Sequence, residues 1–445
     1  MVKQALGLAM SLVLATAALA QPPITFTHQF IAAQTQLNVS SEAIQSTNGT
    51  QAQTTPAKQR RFRIRTITAG VNLKSTKDLA TLESAIKFLE RANQKFTAAG
   101  YEVQTLRITT QPLPEYLGGQ SRSAALADLK ALDRTVAAKN VLLNIGQVIT
   151  DDRHDPDFAA WAVQLIKETS NINFSVAVGS PAHGIHHQTA LTAAEAIVAI
   201  ANATPGGEGN FRFTASSNCP ANIPFFPAGY HQGPIAFGLG LETPPLLQAA
   251  FEASSNIEEA KTKLKALMES ELGPVEKMAL EIARVEHRQY SGIDVSPAPA
   301  KDASIGAAIE ALTRVPFGSA STLVACAAIT DTIRSLNIKR CGYSGLMLPV
   351  LEDPVLATRA AEGRYGVREL LLYSSVCGTG LDVVPLPGDT PAKSLAALIS
   401  DVAALSTKLH KPLSARLFPV PGKKAGDRAQ FNNPFLTDSV VMKLD

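Results

Sequence analysis

From Phe62 onward the chain alternates short apolar segments with longer amphipathic ones, and this rhythm limits its fold more than any other feature. Residues 62–68 alternate as a strand, and after Gly70 the apolar positions from Leu79 to Phe96 recur at helical spacing. A second strand, 102–108, follows Gly100. Because parallel neighbours must be joined by a crossover, usually a helix, repeated βα units predict a parallel sheet.

The same rhythm continues through both halves of the chain. In the first half the strands are predicted at 62–68, 102–108, 141–144, 174–178 and 211–214. A long helical region from Pro244 to His287, divided at Gly273-Pro274, then precedes strands at 293–295, 345–350, 381–384 and 414–418. Since no Gly/Ser-rich linker separates the halves, residues 62–445 are expected to form one domain. We predict a closed or nearly closed α/β barrel, with an open doubly wound sheet as the alternative.

The N-terminal segment differs in composition from the rest. Residues 1–20 carry Lys3, then an apolar run that ends in Ala18-Leu-Ala20, which is typical of a signal peptide cleaved after Ala20. Residues 21–61 are rich in Gln, Thr, Ser and Ala and have nothing periodic to bury, so they are expected to be a disordered polar tether. These patterns predict an exported protein, periplasmic or secreted, without stable membrane insertion after cleavage.

Charge and cysteine content narrow the range of partners. The 41 basic and 38 acidic residues give a formal net charge of +3, which is too small to attract nucleic acid strongly. Four widely spaced cysteines do not make a disulfide-built fold, and their pairing stays open. The expected partner is a small-molecule ligand. Homo-oligomer formation also stays open.

Two stretches near the C-terminal end, 341–353 and 374–389, set glycine and a thiol or carboxylate beside apolar runs. We interpret both as walls of one site. Cys377 lies next to Gly378 and Gly380, where backbone N–H groups could stabilise a thiolate, so it is a candidate nucleophile. The two glycines are candidate ligand-binding residues. The alternative for Cys377 is a small buried core residue.

Five carboxylates border apolar strands or Gly/Pro turns, namely Asp294, Glu352, Asp353, Asp382 and Asp389. In an α/β barrel such strand ends meet at one face, where carboxylates bind a hard cation or divide acid and base work. We assign catalytic roles to Glu352 and Asp382, and a magnesium or calcium site to Asp294, Asp353 and Asp389. The alternatives are a helix cap for Asp389 and a solvated loop for Glu352 and Asp353.

Basic residues complete the predicted site. His231 follows a run of Pro, Phe and Gly residues and is a candidate base, or else a histidine hydrogen-bonded inside an aromatic cluster. Arg65 and Arg416 sit within apolar strands, and an inward-facing arginine must pair with a carboxylate or bind an anionic ligand. Lys423, in the glycine-containing loop 421–427, is also suited to an anionic group.

Four motifs, at 63–70, 224–231, 342–353 and 376–389, resemble the "domain of unknown function 711" family, also called uncharacterised protein family 0210. The resemblance covers about residue 62 to the end. It implies a ten-stranded α/β barrel of two five-stranded halves, like the barrel of the pyruvate formate-lyase and ribonucleotide reductase group. The motif that bears the glycyl radical there is absent, because Gly422 and Gly426 lie in a different environment. The resemblance implies a fold and no particular reaction.

Two functions therefore stay open. The first is an enzyme, a hydrolase or lyase, that acts on a small polar or anionic molecule in the barrel pocket with carboxylates and a divalent cation. The second is a periplasmic small-molecule-binding protein without catalysis. The clustered titratable residues favour the enzyme. Sequence patterns for nicotinamide binding, serine hydrolysis and zinc proteolysis are absent.

Overall fold

A computed structural model of the chain describes residues 62–444. The proposed signal peptide and polar tether, residues 1–61, lie outside the described residues. The strands are β1 Arg63–Val71, β2 Val103–Thr110, β3 Val141–Ile149, β4 Ile172–Ser180, β5 Gly184–Ile185, β6 Phe213–Ser217, β7 Ala236–Glu242, β8 Gln289–Asp294, β9 Gly380–Pro387, β10 Leu413–Val420, β11 Arg428–Ala429 and β12 Ser439–Val440.

Helices join most of these strands. They are α1 Leu79–Ala98, α2 Arg122–Ala137, α3 Phe158–Glu168, α4 His187–Ala203, α5 Pro244–Glu252, α6 Ile257–Glu286, α7 Ile305–Thr313, α8 Thr322–Arg334, α9 Pro354–Ala361, α10 Val367–Tyr373 and α11 Ala392–Leu409. Short 3-10 helices occupy Leu113–Tyr116 and Pro205–Arg212. Within the described residues, no helix is both long and apolar enough to cross a bilayer.

A large, mostly parallel sheet of ten strands forms the centre of this mixed α/β fold. Its order is β8-β7-β1-β2-β3-β4-β6-β10-β9, and the short β5 pairs with β4 beside this path. The five strands β1, β2, β3, β4 and β6 run parallel, as the βα rhythm of the first half predicts. Antiparallel pairing occurs between β1 and β7 and between β6 and β10.

The regular ladder of residues 62–444 ends at β8 and β9, so it does not form the closed barrel that the sequence suggested. One segment nevertheless contacts both edge strands. Arg340 forms a single parallel bridge with Ile293 of β8, and Pro349 forms one with Asp382 of β9. The expected strand 345–350 is therefore wrong as a regular strand. The N–H groups of Gly345 and Leu346 donate to side-chain hydroxyls instead of a ladder, and Pro349 has no N–H to donate.

Two further elements differ from the sequence prediction. Strand β7 was missed because Gly238 and Gly240 interrupt its apolar run, and glycine normally weakens a strand. A side chain at Gly240 would meet the ring of Phe225, so close packing explains that glycine. Helix α6 continues unbroken through Pro274, whereas Gly273-Pro274 was expected to divide the helical region.

Candidate functional site

A cavity of about 100 Å³ lies against one face of the large sheet. Its polar lining comes from strands and loops that are far apart in sequence. The lining includes Arg65, Arg107, Tyr343, Glu352, Thr379, Asp382, Ser414 and Arg416. Its apolar wall includes Phe211, Phe225, Phe226, Met347 and Phe435.

Strand geometry places these side chains together. Alternate residues of a strand face the same side, which brings Arg107 on β2 and Arg416 on β10 into the lining. The pairing of β1 with β7 contains an extra residue at Arg65. The pairing of β9 with β10 shifts where β9 carries Asp382 and Val383. Such bulges redirect side chains and are frequent beside functional sites.

Backbone strain accompanies the second bulge. Val383, next to Asp382, has a φ of 42°, a conformation that a β-branched residue seldom adopts. Strain of this kind persists only where surrounding contacts enforce it, and it clusters at functional sites. The local chain therefore positions Asp382 at a conformational cost.

Glu352 bridges two arginines in the middle of the cluster. Arg65 Nη2 donates to its Oε2 at 3.1 Å, and Arg416 Nη2 donates to its Oε1 at 2.6 Å. The second guanidinium nitrogen of Arg65, Nη1, donates to Glu242 Oε2 at 3.3 Å. Both arginines and Glu352 are buried, so each charge needs the other.

Asp382 is held by one arginine and keeps one oxygen free. Arg416 Nε donates to Asp382 Oδ1 at 2.7 Å. Among the described residues no donor reaches Oδ2. Burial tends to lower the pKa of Arg416, but Asp382 and Glu352 outweigh it and raise that pKa above its usual value. Arg416 is thus a fixed cation, and Asp382 offers the cavity an unused acceptor.

Arg107 is the buried cation of this cavity that, among the described residues, lacks a carboxylate. Its Nε donates to Thr105 Oγ1 at 3.1 Å, and its guanidinium lies 5.2 Å from the centre of the Phe226 ring. No hydrogen bond within residues 62–444 reaches its two terminal nitrogens, although the residue is only 7% exposed. Burial, with repulsion from Arg65 second, lowers the pKa of Arg107 to about 9, which leaves it charged at neutral pH.

The hydroxyl groups of Tyr343 and Ser414 form another part of the lining. Tyr343 Oη donates to Ser414 Oγ at 3.0 Å and lies 3.8 Å from the thiol of Cys219, which is outside the lining. Ser414 Oγ in turn donates to the carbonyl of Thr379 at 3.1 Å. Burial, with the neighbouring Cys219 second, raises the pKa of Tyr343 well above its usual value, so this phenol stays neutral.

The structure brings four of the residues predicted from sequence into one cluster, namely Arg65, Glu352, Asp382 and Arg416. The other predicted residues do not line the cavity. His231 belongs to the loop 222–233, and its buried ring packs against Gly70 of β1. Its Nδ1 lies 2.7 Å from Asn222 Oδ1, and its Nε2 lies 3.1 Å from the carbonyl oxygen of Gly233. Burial lowers the pKa of His231. These contacts fasten the loop.

The three carboxylates assigned to a cation site do not come together. Asp294 accepts hydrogen bonds from Ser296, Tyr343 and Ser344. Asp353 accepts from the first turns of α7 and α9, while Asp389 is exposed. Among residues 62–444, no three side chains of His, Cys, Asp or Glu are grouped so that they could hold a metal ion. Asp294 and Asp353 act as anchors for backbone N–H groups.

Cys377, Gly378 and Gly380 lie outside the cavity lining and have packing roles. Cys377 is fully buried and does not border the cavity, which is the alternative that the sequence left open. A side chain at Gly378 would collide with the backbone of Gly345, and one at Gly380 with the carbonyl of Ser414. These glycines therefore permit close backbone packing. Lys423 is exposed in the turn after β10.

Two residues of the cluster were missed in the sequence. Arg107 lies in the strand Leu106-Arg107-Ile108, and the signal that singled out Arg65, an arginine inside an apolar strand, could have found it. Glu242 ends β7, a strand that was not predicted, so no signal pointed to it. It also pairs with Arg63.

The family model described as "Uncharacterised ACR (DUF711)" matches residues 57–432. The chain belongs to the DUF711 family. This confirms the resemblance inferred from the four motifs. A UPF0210 protein of Pyrobaculum islandicum is 29% identical over 373 residues, which cover 78% of this chain and 80% of that protein. A UPF0210 protein of Desulforudis audaxviator is 27% identical over 399 residues, covering 83% and 88%. One of Lactobacillus delbrueckii is 25% identical over 400 residues, covering 84% and 89%.

All four motifs that identified this DUF711 chain reach the cavity. The first supplies Arg65, and the second, 224–231, supplies part of the aromatic wall including Phe226. The third supplies Tyr343 and Glu352, and the fourth supplies Asp382. The family motifs and the geometry therefore indicate the same place in this DUF711 protein as its candidate functional site.

Proposed function

We propose that the protein binds a small anionic molecule in this cavity and acts on it as a hydrolase or lyase. The observation that carries the proposal is Arg107, a buried cation whose terminal nitrogens have no partner among the described residues. Burying a charge without a counter-charge is costly, so such a group is retained where a ligand supplies the missing charge. A guanidinium fork suits a carboxylate, which it binds through two parallel hydrogen bonds.

The charge of the lining supports a monoanion. Three guanidinium groups, Arg65, Arg107 and Arg416, face the carboxylates of Glu352 and Asp382. Arg63, Arg65 and Arg416 share the carboxylates of Glu242, Glu352 and Asp382, so the surplus positive charge belongs to Arg107. One negative charge on the ligand would neutralise the lining, whereas a second would remain uncompensated in a buried place.

The size of the cavity supports a small molecule. A buried water needs roughly 10 to 15 Å³ of such space, so about 100 Å³ holds on the order of seven to ten water-sized groups. The aromatic wall, which includes Phe226 and Phe435, suits a short carbon skeleton. Nucleotides and sugars larger than this would not fit without rearrangement.

Asp382 is the group best placed to act as a base. In a hydrolase, its free Oδ2 takes a proton from the water that attacks an ester carbonyl carbon and returns that proton to the alcohol that leaves. In a lyase, it takes a proton from the carbon next to the substrate carboxylate and returns it to the hydroxyl group that leaves the adjacent carbon as water. In both, Arg107 would hold the substrate anion and Arg416 would keep Asp382 in place.

Binding without catalysis is the second candidate. Both oxygens of Glu352 already accept from arginines, and Cys377 and His231 do not border the cavity. These contacts leave Asp382 as the main candidate for chemistry. A receptor would need the same charge balance and no base.

Isothermal titration calorimetry tests the proposal with matched acids and amides. Propionate, lactate and benzoate are expected to bind at least about tenfold more tightly than their amides, because only the acids neutralise Arg107. Equal dissociation constants for acids and amides would contradict the proposal. Bound acid that is never consumed, over a range of esters and hydroxy acids, would favour the receptor.

We also propose that the protein is exported and that residues 1–20 are removed. The apolar run before Ala20 supports this. Protein purified from its native host should begin at Gln21, and intact-mass measurement checks it. Retention of Met1 to Ala20 would refute export by this route.

In addition, we propose that the sheet belongs to a barrel of the pyruvate formate-lyase type, closed through residues 340–350. The bridges of this segment to both β8 and β9 support the proposal. So does the division of the sheet into parallel groups that meet in antiparallel pairs.

A further inference from the structure

Polar atoms of opposite charge border the cavity without partners among residues 62–444. The terminal nitrogens of Arg107 lack an acceptor, and Asp382 Oδ2 lacks a donor. Arg65, Glu352 and Arg416 have ion-pair partners, and Asp382 itself is paired only through Oδ1. A ligand that satisfies both groups must carry an anionic acceptor and a hydrogen-bond donor.

We propose that the ligand is a short hydroxy carboxylate, an inference that rests on the proposed function. Its carboxylate accepts from the fork of Arg107, and its hydroxyl donates to Asp382 Oδ2. The short carbon skeleton packs against Phe226 and Met347 of the apolar wall. A ligand that displaces water from Asp382 Oδ2 without supplying a donor leaves this acceptor unsatisfied, which costs more than a formed hydrogen bond gains.

Charge favours a hydroxyl over an ammonium group as the donor. Arg416 already contacts Asp382 at 2.7 Å and is itself fixed as a cation. An ammonium group at Oδ2 would lie next to that guanidinium and would be repelled by it. A zwitterion would also leave the surplus charge of Arg107 uncompensated in the cavity as a whole, whereas a hydroxy carboxylate neutralises it.

Dianions are disfavoured because, among the described residues of the lining, Arg107 alone has both terminal guanidinium nitrogens without a partner. The terminal nitrogens of Arg65 donate to Glu352, Glu242 and Gln104, and those of Arg416 donate to Glu352 and the carbonyl of Phe211. A second anionic group would therefore compete with buried ion pairs for both arginines. Breaking such a pair is strongly unfavourable. Phosphate monoesters and dicarboxylates should therefore bind more weakly than lactate.

Calorimetry with ligands that differ by one group tests the inference. Wild-type protein is expected to bind lactate or 3-hydroxypropionate at least about tenfold more tightly than propionate, since only the hydroxy acids satisfy Asp382. In Asp382→Asn the preference should fall to less than about threefold, while propionate should bind at least as tightly as in wild type because a negative charge of the lining is removed. The amide oxygen of the introduced side chain can still accept from Arg416, so the fold should be retained. Asp389→Asn, which changes an exposed carboxylate beyond the end of β9, is the matched control and should keep the preference.

The outcomes separate the two proposals. If propionate and the hydroxy acids all fail to bind wild-type protein, the anion-binding function itself is overturned. If propionate binds and the hydroxy acids bind no better, only the hydroxy carboxylate class is overturned. Tighter binding of alanine than of lactate would replace the hydroxyl with an ammonium group. The comparison in wild-type protein decides these points even where Asp382→Asn unfolds.

Discussion

Arg107→Met should remove carboxylate binding and at the same time raise the melting temperature of the ligand-free protein. Loss of a desolvated charge partner typically costs about 2 kcal/mol or more in binding, which corresponds to about 30-fold or more in Kd. Stability should rise by about 1 kcal/mol, because methionine replaces an unpaired buried cation with an apolar chain of similar reach beside Phe226. A loss of affinity together with a gain in stability distinguishes a ligand-binding arginine from a structural one.

Calorimetry and thermal unfolding of the same preparation check this prediction. Arg284→Met is the control, since Arg284 lies exposed on α6 and forms its ion pair with Glu281 of the same helix. It should leave both the affinity and the melting temperature nearly unchanged. A marked fall in melting temperature for Arg107→Met would mean that the guanidinium stabilises the fold, and would contradict its assignment as a ligand-binding group.

Glu352→Gln is expected to be the most destabilising of the changes considered. The neutral amide leaves Arg65 and Arg416 facing each other without the carboxylate that both contact. Removing one partner of a buried ion pair costs about 3 to 5 kcal/mol, and the loss here should lie near the lower end because Arg65 keeps Glu242 and Arg416 keeps Asp382. The amide nitrogen would also point a donor at one of the arginines, which adds an unfavourable contact.

Chemical denaturation of wild type and variant measures the effect on the free energy of unfolding. Glu83→Gln, at an exposed residue of α1, serves as the control and should change stability by less than about 0.5 kcal/mol. Added lactate or chloride should recover part of the lost stability in Glu352→Gln, because an anion between the arginines replaces the missing charge. A variant as stable as wild type would show that Glu352 is not the link between Arg65 and Arg416.

Periodicity in the sequence was enough to predict the parallel group of five strands. The reason is that the spacing of apolar residues in each strand and helix shows which of its faces is buried. It was not enough for β7, whose glycines look like strand breakers in isolation, although Gly240 packs closely against Phe225. Pro274 misled for a related reason, since tertiary packing carries α6 through a residue that usually ends a helix.

The site was predictable only in part. Arg65 and Arg416 could be found because a charge within an apolar strand must be paired, and that requirement is visible in sequence. Which carboxylates pair with them depends on bulges and register, and these are properties of neighbouring strands. The carboxylates Asp294 and Asp353 were misassigned because an acid beside an apolar run looks the same whether it binds a ligand or backbone N–H groups.

The bridge that Glu352 makes between β1 and β10 has an evolutionary consequence. A neutral residue in place of Glu352 leaves Arg65 and Arg416 with one carboxylate each, Glu242 and Asp382, and adds one uncompensated positive charge to a buried cluster. A change of charge at this point is therefore favoured only when a second substitution compensates it. Relatives that carry a neutral residue at the position of Glu352 should therefore have lost an arginine at the position of Arg65 or Arg416 as well. The specificity of these proteins should then change in discrete steps, since intermediate sequences would be selected against for their instability.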